Sequence, residues 1–256
     1  MLRTRIIPCL LIHDGGLVKS TKFHDHKYIG DPLNAVRIFN EKEVDELLVI
    51  DIDASVNGSE PNFELIKKMA SECRMPLCYG GGIKTVEHAK KVVSLGAEKV
   101  AIGSGAIENP KVLREIGNAI GSQSVVIVLD VKKKKIWGGY EIYVYNGTKN
   151  TKNDPFDLAE ELEKIGIGEL VLNNIDLDGT MQGYDIELCK RMRERISIPM
   201  TILGGAGSLE DISGAIKHLG VVGAGAGSLF VFKGKYRAVL INYPDFEQRK
   251  YLYKTK

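Results

Sequence analysis

The sequence has no large excess of charge, few cysteines and no long apolar run. A net charge of +2 over 256 residues gives no electrostatic reason to expect nucleic acid or a membrane as a partner. The four cysteines lack the paired C-x-x-C spacing of a metal site, and no disulfide is expected. No segment is long and apolar enough to cross a bilayer, and Pro8 interrupts the stretch in which a signal peptide would lie. We therefore expect a cytoplasmic protein, with Lys132–Lys135 as a solvated loop.

Glycine, by contrast, is abundant, and two glycine clusters organise the chain. Gly80-Gly81-Gly82 follows an apolar run, and Gly204-Gly205 follows another. In both copies a short strand is predicted to run into a helix that has a Thr or Ser near its start. The copies are 123 residues apart (204 − 81 = 123), close to half of the 256 residues. The second half of the chain therefore resembles the first.

Short apolar runs alternate with helical patterns eight times, which is typical of parallel strands buried on both faces. The pattern predicts one (β/α)₈ TIM barrel over residues 1–256, made of two half-barrels. An open doubly wound sheet is the structural alternative, but it does not predict a repeat of four units. The predicted barrel strands are 5–12, 46–52, 76–79, 99–102, 124–129, 169–173, 199–202 and 221–225.

Three connections have their own predictions. The segment after the first strand is rich in His, Lys and Gly and is predicted to be a polar loop. After strand five, Tyr140–Tyr145 alternates like a strand and Asn146-Gly147 is a turn dipeptide, which predicts a β-hairpin within Lys132–Gly147. A final short helix is predicted to begin near Lys235.

Active sites of such barrels lie at the carboxyl ends of the strands. Strands three and four, and strands seven and eight, each end in glycines plus a serine there. These two pairs predict two phosphate cradles that face each other across the barrel mouth. Alternatively, the glycines only permit tight turns between strand and helix.

Several other residues could carry chemistry. Asp130 closes an apolar strand, where an unpaired carboxylate is costly, so it is a catalytic candidate, and Lys19 could pair with it or with substrate. His24-Asp25-His26 lacks a third clustered ligand, so we expect no metal. Cys9 and His13 could be a nucleophile and its base, but their spacing does not require them to meet.

Several segments match the pattern of a known family: Ile6-Ile7-Pro8-Cys9-Leu10, Gly80-Gly81-Gly82-Ile83, Asp176-Leu177-Asp178-Gly179-Thr180 and Gly204-Gly205-Ala206-Gly207. They resemble the cyclase subunit of imidazole glycerol phosphate synthase, from the N-terminus to about Lys233. The resemblance implies a barrel that accepts ammonia from a separate glutaminase through its interior. Such a barrel uses the ammonia to cleave and cyclise a bis-phosphorylated ribulosyl aminoimidazole carboxamide nucleotide. We expect no cofactor.

The resemblance also implies roles for individual residues. The acid/base pair would be Asp130 and the residue at position 11, but position 11 is Leu, which cannot transfer a proton. Lys19 and Asp51 are retained as further catalytic candidates. A charged ring that admits ammonia at the bottom of the barrel is whole, as Arg5, Glu46, Lys99 and Glu169. The phosphate-binding candidates are Gly81, Gly82, Gly103, Ser104, Asp178, Gly179, Gly204, Gly205, Gly227 and Ser228.

A narrower resemblance favours one function over two others. Leu10-Leu11, Pro76–Tyr79, Asn146–Asn150 and Gly227–Phe232 resemble paralogues linked to acetamidino modification of sugars in surface polysaccharides. There, a barrel and a glutaminase form a heterodimer that supplies ammonia to a sugar-modifying amidotransferase. The first alternative is a true histidine-pathway cyclase in which another residue, such as Asp51, replaces the missing Asp. The second is a catalytically silent barrel that activates its glutaminase.

Overall fold

The computed structural model describes residues 3–135 and 138–254. The strands are β1 (Arg5–His13), β2 (Gly16–Thr21), β3 (His24–Gly30), β4 (Leu47–Asp51), β5 (Leu77–Gly80), β6 (Lys99–Ile102), β7 (Val125–Lys133), β8 (Tyr140–Val144), β9 (Lys149–Asn150), β10 (Glu169–Asn174), β11 (Met200–Leu203), β12 (Gly223–Ala226), β13 (Phe232–Lys233) and β14 (Ala238–Val239). The helices are α1 (Pro32–Glu41), α2 (Ile52–Val56), α3 (Phe63–Glu72), α4 (Val86–Ser94), α5 (Ser104–Glu108), α6 (Lys111–Ile120), α7 (Pro155–Ile165), α8 (Ile186–Arg195), α9 (Leu209–Leu219), α10 (Ser228–Val231) and α11 (Phe246–Lys254).

Eight parallel strands close into a barrel, which confirms the predicted fold. In order around the barrel they are β1, β4, β5, β6, β7, β10, β11 and β12, and β12 pairs with β1 through the register Arg5↔Gly223 to Pro8↔Ala226. Every residue of β5, β10, β11 and β12 is buried. Strands buried on both faces explain why the sequence reads as continuous apolar runs rather than as alternation.

The helices begin where the sequence provides N-caps. Asp31 and Asp154 each cap a helix whose first residue is proline, with the side-chain oxygen accepting from a first-turn N–H. Ser208 caps α9 in a reciprocal capping box with Asp211. None of the helices in the described residues has both the length and the apolar character needed to span a bilayer.

The half-barrel repeat extends to the turns after the fourth and eighth barrel strands. Gly103 precedes the short helix α5 with φ −104° and ψ −98°, and Gly227 precedes the short helix α10 with φ −103° and ψ −76°. These two helices were not predicted, because each is only one turn long and has no periodic pattern. The two halves of the chain therefore build matching turns on opposite sides of the mouth.

The connections after β1 and after β7 each contain additional strands. The predicted polar loop after β1 is instead an antiparallel ribbon, in which β2 pairs with β1 and with β3. The hairpin after the fifth barrel strand is confirmed, with Asp130↔Tyr143 in register, although Lys132 and Lys133 extend β7 rather than lying in a loop. Residues 136 and 137 of this hairpin lie outside the described residues.

The helix predicted near Lys235 is wrong. That residue lies in the turn between β13 and β14, and the last helix begins at Phe246. Gly234 takes a φ of +73° in this turn, a conformation that ends regular structure.

Candidate functional site

Four charged side chains form a closed ring at the N-terminal end of the barrel. Arg5, Lys99 and Glu169 are the first residues of β1, β6 and β10, and Glu46 directly precedes β4. Arg5 donates to Glu46 and, from Nη2, to Glu169 Oε1 at 2.7 Å. Lys99 Nζ lies 2.9 Å from Glu46 Oε1 and 2.9 Å from Glu169 Oε2. Each cation therefore bridges both carboxylates, and the four residues that the resemblance implied form one ring.

The ring holds its charges although it is largely buried. Burial alone lowers the pKa of Lys99, but the Glu169 and Glu46 carboxylates reverse this and raise it above the ordinary value. Burial likewise raises the pKa of Glu169, but Arg5 and Lys99 lower it overall. The formal charges cancel, with two of each sign. The ring is thus a set of mutually stabilised charges rather than neutralised side chains.

One further residue supports the ring and was missed by the sequence analysis. Thr201, in β11, is buried, and its Oγ1 donates to Glu169 Oε1 at 2.6 Å. A Cβ on Gly223 would lie 1.9 Å from this hydroxyl oxygen, so glycine leaves the space that Thr201 occupies. The sequence shows this residue only as one hydroxyl side chain in an otherwise apolar strand. That is weak evidence for a functional role, because threonine is common in strands.

Above the ring, the interior of the barrel is apolar. Ile7 and Cys9 of β1 face a cluster of small and branched side chains from the other barrel strands. Such a lining disfavours ions, because a charge loses its hydration there without gaining a partner. The cluster continues with Leu48, Cys78, Ala101, Val126, Val128, Val171 and Leu203, and Leu11 and Ile50 pack against it.

A cavity lies at the other end of the barrel, where the strands end, and it brings the catalytic candidates together. Asp130, Lys19 and Asp51 all line it, and so does Leu11. Asp130 Oδ1 accepts a hydrogen bond from Asn173 Nδ2 at 2.8 Å. Burial raises the pKa of Asp130 to about 7. This carboxyl can therefore give or take a proton near neutral pH, whereas the side chain at position 11 in the same cavity cannot.

Asn173 is the second residue that the sequence analysis missed. It is 5% exposed and pairs with Asp130 in register across β10 and β7. Its Oδ1 is buried and has no hydrogen-bond partner among the described residues. Because an unpaired buried amide oxygen is costly, this atom offers an acceptor to a ligand in the cavity.

Lys19 lies in β2 of the β2–β3 ribbon, and it is buried. Its Nζ donates to the backbone oxygen of Cys9, and burial lowers its pKa. A Cβ on Gly227 would lie 2.6 Å from this nitrogen, which places Lys19 beside the turn after β12. In the described part of the chain Lys19 makes no ion pair with Asp130, so it is directed to the β12 side of the cavity.

Asp51 and Asp178 each have a structural contact in addition to lining the cavity. Asp51 Oδ1 caps α2 by accepting from Asp53 N at 3.0 Å, and burial raises the pKa of this carboxyl. Asp178 Oδ2 accepts from Ser20 Oγ at 3.2 Å, and burial raises its pKa as well. Gly179, at φ +69°, packs so closely that a Cβ would lie 2.0 Å from Ser20 O.

The glycines of both predicted cradles are also required by packing. On the side of β11 and β12, Gly204 and Gly205 have φ values of +90° and +111°, and a Cβ on Gly205 would lie 2.0 Å from Gly183 O. On the side of β5 and β6, Cβ atoms on Gly81 and Gly82 would lie 2.6 and 2.7 Å from backbone oxygens. These contacts agree with the alternative interpretation, in which the glycines are needed for tight turns between strand and helix whether or not a ligand binds.

The cradle on the side of β6 is covered by the chain itself. Ser104 Oγ accepts a hydrogen bond from Tyr145 N at 3.1 Å, which brings the hairpin turn after β8 onto the cradle. Tyr145 also donates its hydroxyl to Glu108, so a carboxylate lies at the same place. At Gly103 a Cβ would meet no atom nearer than Val128 O at 3.8 Å, so some space is left there.

The histidines of the β2–β3 ribbon do not form the cluster considered from the sequence. His26 packs against His13, with ring centroids 4.6 Å apart. His13 Nδ1 lies 2.6 Å from Asp53 Oδ1, and its pKa is raised mainly by this hydrogen bond. His13, Asp14 and Asp53 have ligand atoms within 4.8 Å of one another, but the group is partly exposed. Cys9 is buried and donates nothing to His13 in the described contacts.

Comparisons with known proteins agree with this geometry. A family model described as histidine biosynthesis protein matches residues 5–237. A Leptospira interrogans protein with the provisional name imidazole glycerol phosphate synthase subunit HisF is 54% identical over 99% of this chain and 100% of its own. A similarly named hisF2 subunit of Pseudomonas aeruginosa is 52% identical over 96% of this chain and 97% of its own. A hisF3 subunit of Vibrio vulnificus is 51% identical over 98% of this chain and 96% of its own. The chain therefore belongs to the histidine biosynthesis protein family, as a HisF-like barrel of the imidazole glycerol phosphate synthase group.

Proposed function

We propose that this barrel is the synthase subunit of a glutamine-dependent complex, and that it conducts ammonia from a glutaminase to an acceptor at its mouth. The acceptor reaction we favour forms an acetamidino group on a sugar for a surface polysaccharide. The observation that carries the proposal is the combination of a complete charged ring with a leucine in place of one acid/base residue. The entrance is retained, while the chemistry at the exit is changed.

The lower half of the barrel supports the ammonia route. Ammonia is small and uncharged, so it can cross an apolar interior that an ammonium ion cannot enter without a large desolvation cost. The ring of Arg5, Glu46, Lys99 and Glu169 closes the N-terminal end. A glutaminase docked on that face would deliver ammonia directly to the ring. Exchange of one ion-pair contact for a contact with ammonia would let the molecule pass.

The upper half supports an altered reaction. Asp130 retains a proton-transfer group with a pKa of about 7, and Asn173 Oδ1 beside it can accept an N–H from ammonia or an amidine. Leu11 removes the second proton-transfer group. Loss of one such group typically lowers the rate by about 10²–10⁴-fold, so cyclisation of the histidine-pathway nucleotide is disfavoured.

The numbered names of two relatives are compatible with a paralogue that serves another acceptor. Two of the relatives carry the numbered names hisF2 and hisF3, which distinguish them from a first HisF subunit. A second or third copy of a barrel is free to serve a different acceptor. The partner in this proposal is a HisH-like glutaminase, and a sugar-modifying amidotransferase receives the ammonia.

The experiment that tests this proposal supplies the purified barrel with ammonium ions and the bis-phosphorylated nucleotide. We expect no imidazole product from the wild type at a rate within 100-fold of a HisF subunit with both acid/base residues. Leu11→Asp should gain activity if the remaining groups are correctly placed, whereas Leu11→Asn, which has a similar volume but no titratable proton, should not. Efficient turnover by the wild type would overturn the proposal and favour the histidine-pathway alternative, with Asp51 as the replacement.

The silent-barrel alternative differs in where the ammonia goes. In a complex with the glutaminase and the sugar-modifying amidotransferase, a conducting barrel should keep glutamine-derived ammonia out of solution. A dye-linked or enzyme-coupled assay of free ammonium distinguishes the two. If ammonium appears in solution at the full glutaminase rate, and is unaffected by substitution of Lys99, the barrel only activates its partner.

A further inference from the structure

A single arginine from the C-terminal hairpin reaches the edge of the mouth. Arg237 lies in the turn between β13 and β14, and its Nη2 donates to Gly179 O at 3.3 Å and to Ser228 Oγ at 3.4 Å. Both acceptors were predicted to bind phosphate, whereas Arg237 was not singled out from the sequence. The match to the family model ends at this residue.

A second cation, Lys27, lies beside Arg237. Its guanidinium carbon lies 4.7 Å from the centroid of the Phe232 ring, and Lys27 Nζ lies 5.0 Å from the same centroid. Lys27 Nζ also donates to the backbone oxygen of Arg237 at 3.1 Å. None of the ion pairs among residues 3–135 and 138–254 involves Lys27 or Arg237. The two positive charges are thus held near each other without a carboxylate.

The backbone of Arg237 is also strained. Its φ is +49°, in the left-handed region that a side chain with a Cβ rarely adopts. Glycine would fit this conformation without cost. Strain at a polar residue beside a cavity is typical of a site where the side chain itself is needed.

We propose that Arg237 binds a phosphate group of the ligand, together with Ser228 and the Gly179 turn, and that this is the only phosphate site that residues 3–135 and 138–254 form at the mouth. Arginine presents several N–H groups in a fixed plane that matches the oxygens of a phosphate. Its contact with Gly179 and Ser228 positions this plane over the predicted cradle. An anion there would neutralise the two unpaired cations. This inference deepens the proposed function and depends on it only in taking the mouth as the ligand site.

The opposite cradle explains why there is one such site. The Oγ of its serine, Ser104, accepts from Tyr145 N, and Glu108 places a negative charge beside it. Lys149 Nζ lies 3.9 Å from Glu108 Oε1 and is already paired with that carboxylate, so a second phosphate would compete with Glu108 for its cation. The half-barrel symmetry of the turns is therefore broken in the side chains, and the ligand is expected to carry one phosphate, not two.

The test measures binding of inorganic phosphate to the whole chain by calorimetric titration at constant ionic strength, with chloride as the reference anion. We expect one phosphate per wild-type chain. Arg237→Gly should weaken binding by roughly 10- to 100-fold, the range for loss of a charged hydrogen bond. Because glycine relieves the strained φ, this variant should remain folded and melt at or above the wild-type temperature.

The controls separate binding from structure. Lys235→Ala removes an exposed charge from the same turn and should change the affinity by less than twofold. Arg237→Lys should bind with intermediate affinity, because it keeps the charge but not the planar group. Equal affinity of Arg237→Gly and wild type, two phosphates per chain, or no saturable binding to the wild type would each overturn the inference. None of these outcomes bears on ammonia conduction, which the assays above test separately.

Discussion

Replacing the half-buried carboxyl of Asp130 at the mouth by an amide should stabilise the protein and inactivate it. In Asp130→Asn the amide oxygen can still accept the hydrogen bond from Asn173 Nδ2, which Asp130 Oδ1 accepts at 2.8 Å in the wild type. What changes is the charge. Ionised Asp130 lies in a site whose burial raises its pKa from 3.8 to about 7, so folding the wild type above that pH requires desolvation of a carboxylate.

The size and direction of the effect follow from the pKa. In the unfolded chain Asp130 releases its proton near pH 3.8, whereas in the folded chain it keeps the proton until about pH 7. The wild type therefore loses stability as pH rises through this window, and the loss is complete above it. The shift of about 3 pKa units corresponds to about 4 kcal/mol at 1.36 kcal/mol per unit. Near pH 4 the corresponding cost is below about 1 kcal/mol.

Urea unfolding of both proteins at pH 4.5, 6 and 8.5 measures this directly. We expect Asp130→Asn to be more stable than the wild type by about 4 kcal/mol at pH 8.5, and by a much smaller amount at pH 4.5. Asp14→Asn serves as the control, because Asp14 is at the same face but its side chain is 88% exposed. Its effect should stay within about 0.5 kcal/mol at every pH. A stability gain that does not vary with pH, or a loss at pH 8.5, would show that Asp130 is not a desolvated carboxylate.

Four further outcomes test other parts of the structure. Lys99→Met leaves both ring carboxylates with one cation, so the free energy of unfolding in urea should fall by roughly 3 kcal/mol. Assays of the complex should then show ammonium in solution. Unchanged stability would contradict the ring geometry. Thr201→Val removes only the hydrogen-bond donor to Glu169, and it should lower the free energy of unfolding by about 1–3 kcal/mol. Unchanged stability would refute this role of Thr201. Gly214→Ala, in α9 with open space around its Cβ position, should raise the stability by about 1 kcal/mol. Gly205→Ala, whose Cβ would lie 2.0 Å from a backbone oxygen, should prevent stable folding, and a melting temperature near that of the wild type would contradict this packing.

The barrel was predictable because its strands and caps are local signals. Apolar runs bounded by glycine, and Asp-Pro or Ser at helix starts, determine most of the elements within a few residues. The β2–β3 ribbon was missed because β3 carries mostly exposed polar residues and pairs through its backbone. The helix expected near Lys235 failed because a turn at Gly234 intervenes.

The candidate site was predictable only where a strand end fixes the position of a residue. Asp130 and the four ring residues lie at such ends, so their approximate location followed from the fold. Contacts between distant segments left no trace in the sequence. Tyr145 meets Ser104 across 41 residues, and Arg237 meets Gly179 across 58. Such pairs depend on how the connections fold over the mouth, which no local pattern specifies.

The charged ring itself argues against a purely structural role for the barrel. A buried ion pair is weak support for stability, because replacing all of its members by well-packed apolar residues is often neutral or stabilising. The apolar interior directly above the ring shows that this chain fills the barrel with such residues elsewhere. A barrel needed only as a scaffold would gain from continuing that packing to its N-terminal end. Instead Arg5 and Lys99 are held by two carboxylates, one of which takes a further hydrogen bond from Thr201. Because apolar packing could replace these charges without a large loss of stability, the ring is best explained by what the charges do, which in the proposed function is to close the entrance and to exchange partners when ammonia passes.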